Sequence, residues 1–149
     1  MQTMTLTPPV ERLPAWLRAT AALGILWNAY GVAQYASSWT QTPQSLMAAG
    51  MTAAQAEIYL GLPPWMGLVF AIGVFAGLLG SVALALRRGI AVPVFVLSLV
   101  GYICLFAGDV WYGVFTHIPA QLAILAFVVV VAAGLLGAAR AAAARGLLR

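Results

Sequence analysis

Between Trp65 and Ala139 only Arg87, Arg88 and Asp109 carry a formal charge, and the first two are adjacent. A stretch so poor in charge cannot be an ordinary soluble domain, in which about a quarter of the residues are charged. Its apolar runs are long enough for helices that cross the roughly 30 Å hydrocarbon core of a bilayer. The full chain has the same character: 149 residues, 64% hydrophobic and 7% charged, with a mean hydropathy of +1.01. These figures leave room for one membrane domain and for no sizeable soluble one.

The punctuation of the runs predicts four spans, at 15–38, 65–86, 90–112 and 119–139. The fold class expected is therefore an all-α membrane protein, an antiparallel four-helix transmembrane bundle over 15–139. Residues 1–14, broken by Pro8, Pro9 and Pro14, read as a flexible cytoplasmic leader, and 140–149 as a basic cytoplasmic tail. Trp16 and Arg18 open the first span as an interfacial anchor. Gly31-Val32-Ala33 resembles a signal cleavage site. The apolar run before it is too long for a signal peptide and is interrupted by Trp27, Asn28 and Tyr30, so an uncleaved helix is expected. Between the first two spans, Thr52-Ala53-Ala54-Gln55 has the form of a capping box. It predicts a short helix over about 53–60 in the first external loop, stopped by Gly61 and Pro63-Pro64.

The arginines set the orientation. With four spans, Arg12, Arg18, Arg87, Arg88, Arg140, Arg145 and Arg149 all fall on one side, and the other side has none. The positive-inside rule then places both termini in the cytoplasm, in a bacterial inner membrane, with Glu57 and His117 outside. The net charge of +4 is thus a topology signal and not a nucleic-acid footprint. The partner expected first is the lipid bilayer, with no nucleic acid. The single Cys104 excludes a dithiol relay, and the single His117 excludes paired axial haem ligands. Neither a metal cluster nor a nucleophile–base pair is visible, so no enzyme activity, metal or cofactor is expected.

Several polar residues lie where a lipid-facing leucine would be cheaper. Gly24, Asn28, Gly31 and Tyr35 recur at helical spacing and form one stripe that must face other helices. Asn28 lies about 15 Å past Arg18 at 1.5 Å per residue, where it either lines a substrate site or bonds helices together. Gly73, Gly77 and Gly80 form a stripe on the second span, and Ala126, Ala133 and Gly137 one on the fourth; both predict close helix packing. Asp109 is the sole acid within a span, with Ser98 and Tyr102 on its face and Tyr112 beside it. A carboxylate flanked by phenols is expected either to hold a proton or cation, or to sit in interfacial water or hydrogen-bond to Trp, Tyr or Gln side chains. Asn28, Gln34, Tyr35, Tyr102, Asp109, Tyr112 and His117 are accordingly the candidate lining of an outward-facing cleft. The tryptophans and tyrosines near the outer boundary, Tyr59 included, read as an aromatic belt.

Leu26-Trp27-Asn28-Ala29-Tyr30-Gly31 with Gln34-Tyr35, Met51-Thr52-Ala53-Ala54-Gln55 leading to Leu62-Pro63-Pro64-Trp65, and Gly77-Leu78-Leu79-Gly80-Ser81 ahead of Arg87-Arg88 carry a resemblance. So does Ala91-Val92-Pro93-Val94-Phe95 with Ser98-Leu99. Together they resemble small four-helix bacterial membrane proteins loosely labelled "sugar transporter". The resemblance implies a transporter-like protein with a small-molecule ligand of unknown identity. Family members often have an acid where this chain has Gln34. Four spans leave little room for an enclosed path, so transport would call for a homo-oligomer. The alternative is a structural or accessory subunit packed against a larger membrane complex.

Overall fold

A computed structural model describes residues 14–149. Apart from Pro14, the expected leader lies outside the described residues, and Arg12 with it. The chain forms α1 (Ala15–Ser38), α2 (Pro43–Ala48), α3 (Ala53–Leu60), α4 (Pro64–Ala85), α5 (Ala91–Trp111), α6 (Val114–His117) and α7 (Pro119–Ala144). No strand occurs among the described residues. Helices α4, α5 and α7 are long and apolar enough to cross a membrane, so this is a membrane protein whose apolar helices contact the bilayer. With 24 residues α1 has the length as well, but Arg18, Asn28 and Gln34 dilute it, and it is not among those three.

Local chemistry fixes the ends. Proline begins α4 and α7, where its missing N–H would have no helical partner anyway. Thr52 Oγ1 accepts from the Gln55 N–H at 3.2 Å, and Gln55 Oε1 accepts from the Thr52 N–H at 2.9 Å. The capping box is thus formed, and it starts α3. Helix α2 was not legible, because its box pairs Thr42 with Ser45 in place of Glu or Gln. Gly113 takes a left-handed φ of +67° between α5 and α6, a conformation that costs glycine little.

The four long helices alternate in direction. Leu17 and Ala21 from the start of α1 pack with Leu84 from the end of α4, Phe95 from the start of α5 and Ala139 from the end of α7. A second cluster joins Val74, Tyr102 and Ala132 further along, flanked by Val32 and Tyr35. Helix α4 lies between α1 and α5, while α7 packs mainly on α5 and only lightly on α1 and α4.

Glycines allow α4 this central place. A Cβ on Gly73 would come within 2.8 Å of the Tyr102 ring, and one on Gly80 within 2.9 Å of Phe95. A Cβ on Gly77 would overlap Asn28 Oδ1, and one on Gly24 would lie 2.6 Å from Ser81 Oγ. Gly31 receives Val74 on the same terms. Close approach of small residues gives van der Waals contact where lipid leaves no hydrophobic drive between helices.

Helix α7 corrects the expectation for Gly137. It is exposed, with nothing near a Cβ built on it, and Ala133 is exposed too. The packed face carries Leu125, Ala132, Leu135, Leu136, Ala139 and Ala142 instead. In an all-apolar helix, residue type does not say which side meets protein, since lipid tails are as apolar as leucine. The helix also continues past 139 to Ala144. The chain then turns at Gly146 and meets the α4–α5 turn: the Arg149 N–H donates to Arg87 O at 2.6 Å and the Gly89 N–H to Arg149 O at 2.8 Å. Arg87 Nε donates to Leu147 O at 2.9 Å, which helps hold Arg87 at a φ of 58°. The described part of the expected tail is thus bound to the bundle.

Gly77→Ala should therefore destabilise the protein by about 1–3 kcal/mol, the usual cost of overpacking. Gly137→Ala should be neutral or slightly stabilising, as expected for glycine replaced in an exposed helix. Unfolding of both variants in the same detergent checks this; equal effects would mean that Gly77 is not a contact position.

Candidate functional site

Two groups of buried polar side chains lie on the inward faces of these helices, and they differ in kind. The first is midway along the bundle. Asn28 is 2% exposed; its Nδ2 donates to Gly24 O at 2.8 Å and to Ser81 Oγ at 3.4 Å. Ser81 Oγ donates to Gly77 O at 2.8 Å, and Ser98 Oγ donates to Gly73 O at 2.7 Å. Each hydroxyl returns its proton to a backbone carbonyl, and Asn28 Oδ1 fills the notch at Gly77. This group bonds α1 to α4 and, through Ser98, α5 to α4. Its donors are already committed, which leaves little for a substrate.

The second group is at the other end of α5. Asp109 is also 2% exposed, and its buried Oδ2 has no hydrogen-bond partner. The Gln121 amide, from the first turn of α7, is beside the carboxylate. Tyr59 on α3 is close enough for the carboxylate to act on its phenol. Trp65 and Met66 cover the neighbouring Gly108, which a Cβ would bring within 2.8 Å of the Trp65 ring. Short helices roof this end: Gln55 Nε2 donates to His117 O at 2.8 Å, tying α3 to α6. Ala56 and Val114 are fully buried beneath that tie.

No cation offsets Asp109 among the described residues. Arg18, Arg87, Arg88, Arg140, Arg145 and Arg149 sit at the starts of α1 and α5 and the ends of α4 and α7. Asp109 is 18 residues along α5 from Ala91, about 27 Å at 1.5 Å per residue. At the arginine end, Arg145 stacks over Trp16 at 5.4 Å. An unpaired charge out of water costs several kcal/mol, so the site at Asp109 is incomplete as a structural element.

The other expected cleft residues do not join it. Gln34 is exposed, and Tyr35 meets Trp39, Phe70 and Phe75 edge-on at 6.0, 5.8 and 5.9 Å. Tyr102 lies against Gly73, and Tyr112 is 41% exposed beside Trp65. His117 is exposed and enters only through its backbone carbonyl. The phenol near Asp109 is thus Tyr59, which sequence reasoning placed in the aromatic belt. Gln121 was overlooked, although an amide two residues into an apolar helix was a visible signal. Among the described residues, no three His, Cys, Asp or Glu side chains are grouped to hold a metal.

Two open recesses mark the bundle surface. One lies between α1 and α7, lined by Leu23, Trp27, Val131 and Gly134, and the other runs along α5 beside Trp65, Cys104 and Trp111. Asp109 lines neither. No protein-family model matches the chain, and neither a curated protein nor a solved structure is significantly similar to it.

Burial first, and the Asp109 charge second, push the Tyr59 phenol above its ordinary value of 10.0. The folded state thus keeps a proton that the unfolded chain releases near that pH, so this contribution to stability is present below pH 10 and is lost as pH rises beyond it. Asp109→Asn should lower the pH at which Tyr59 ionises, read as phenolate absorbance in a potassium buffer against a Tyr59→Phe blank. An unchanged midpoint would contradict the proximity of the two side chains.

Proposed function

We propose that this chain is a four-span protein of the bacterial inner membrane, with both termini cytoplasmic, and that it works as a small transporter-like protein. The observation that carries this reading is Asp109, a buried carboxylate whose Oδ2 has no partner and whose end of the bundle has no arginine among the described residues. Ionisable residues inside membrane proteins are expensive and tend to mark ion or substrate paths. The distribution of the described arginines supports the orientation, since all of them cluster at the end opposite Asp109. The length of α1 and its antiparallel packing on α4 support its role as a fourth span. The resemblance described above points the same way. The substrate reaches Asp109 from the periplasmic end, beneath the roof formed by α3 and α6.

One observation favours an accessory subunit instead. Helices α1 and α7 touch only lightly, and the recess between them exposes Gly134, with Gly137 a turn further on. Small residues facing outward are what a partner helix uses for close approach.

Native mass spectrometry of the tagged protein, gently extracted from its own membrane, separates the readings. A homo-oligomer, above all one that retains a small molecule, is expected for a transporter. A stoichiometric foreign subunit would overturn that reading in favour of the accessory one. In a Cys104→Ser background, a cysteine at Thr116 should react with a membrane-impermeant maleimide in intact cells, whereas one at Arg140 should react only after lysis. The reverse pattern would contradict the orientation.

A further inference from the structure

We propose that Asp109, with the Gln121 amide and the Tyr59 phenol, binds one small monovalent cation, a proton or a sodium ion. This deepens the transporter-like reading and rests on it only for the route by which the ion arrives. Geometry carries the assignment. Asp109 Oδ2 is buried without a partner, and the carboxylate is 2% exposed and lines neither surface recess. The free oxygen can accept a proton or a bare ion, and neither recess opens onto it to admit an organic ammonium group.

The chemistry of the donors narrows the ion further. A carboxylate, an amide and a phenol bring oxygen donors, which suit a hard cation or a proton and not a soft metal. Charge balance sets the valence. One carboxylate neutralised by one positive charge leaves the buried site neutral, whereas a divalent ion would leave it charged. Helix α4 contributes no titratable side chain to this end, and α7 contributes Gln121 but no acid or base. Helix α3 brings Tyr59, with Glu57 on its exposed side, and α6 brings the exposed His117. Just past the end of α5, Tyr112 is partly exposed and turned to Trp65. None of these supplies a positive partner at the carboxylate, since the His117 side chain is exposed.

The roof offers the ion a controlled entrance. The Gln55–His117 bond joins the short helices α3 and α6 above Tyr59, and both are held by few contacts compared with the long helices. In this proposal the ion enters when that bond breaks and the packing around Ala56 and Val114 loosens with it.

The sequence makes a direct test available, because Asp109 is the sole aspartate in the chain. The intact protein, labelled with carbon-13 at the aspartate side-chain carboxyl and placed in lipid nanodiscs, gives one carboxyl resonance. It can be followed by NMR against pH in choline, potassium and sodium salts, with no variant required. A solvated aspartate titrates near pH 4. If the ion is a proton, the resonance keeps its protonated position at neutral pH in all three salts, a proton affinity about a thousandfold or more above the solvated one. If it is sodium, the resonance shifts saturably with sodium and not with potassium or choline. Titration near pH 4 with no response to sodium would overturn the proposal. Ion binding by a chain that proves to be a stoichiometric subunit of a foreign complex would remove the transporter reading and leave this site standing.

Discussion

The Asn28 amide seated against Gly77 is the contact on which the arrangement of the bundle depends. Helix α1 is the least apolar of the long helices, and an amide facing lipid would lose its hydrogen bonds at a cost of several kcal/mol. Turned toward α4, the same amide bonds to Gly24 O and Ser81 Oγ and fits a notch that any side chain at position 77 would fill. Satisfying one polar group thus selects which face of α1 is inward. It also selects the residues that must be small on α4, and the ring positions of Tyr102 and Phe95 on α5 follow from those notches.

Asp109 is built on the opposite principle. Where Asn28 has its donors committed, Asp109 has an oxygen committed to nothing and no described arginine at its end of the bundle. A fold selected only for stability would replace it with an apolar side chain, since unpaired buried charge is among the costlier defects a protein can carry. Its place beneath a roof of two short helices fits the ion-binding role proposed above. The molecule therefore carries two buried polar groups at different positions along the bundle, one with its donors committed and one with an unpartnered oxygen.

Much of this was legible in the residues. Apolar runs bounded by Pro63-Pro64, Arg87-Arg88 and Pro119 located the long helices, because proline marks helix ends by covalent geometry and paired charges interrupt an apolar run. The spacing of Gly24, Asn28, Gly31 and Tyr35 identified the inward face of α1, since polar groups in a membrane helix must find partners. The packed face of α7 was not legible, because alanine, valine and leucine are equally at home against lipid and protein. The partners of Asp109 were not legible either. Tyr59 and Gln121 reach it from helices far away in sequence, and only the folding of α3 and α7 over the end of α5 brings them there. The long helices were set by local rules, whereas the site was set by tertiary contact.

The contrast between the two sites is tested most directly by the unfolding free energies of Asn28→Ala and Asp109→Asn, measured in one lipid environment at neutral pH in a sodium-free choline buffer. Loss of the satisfied amide should destabilise the protein by about 1–2 kcal/mol, the range for interhelical hydrogen bonds in membranes. Asp109→Asn should be neutral or stabilising, because it removes a group that the fold does not satisfy. A loss of stability on Asp109→Asn as large as that on Asn28→Ala would contradict the account and make the carboxylate a structural residue like the amide.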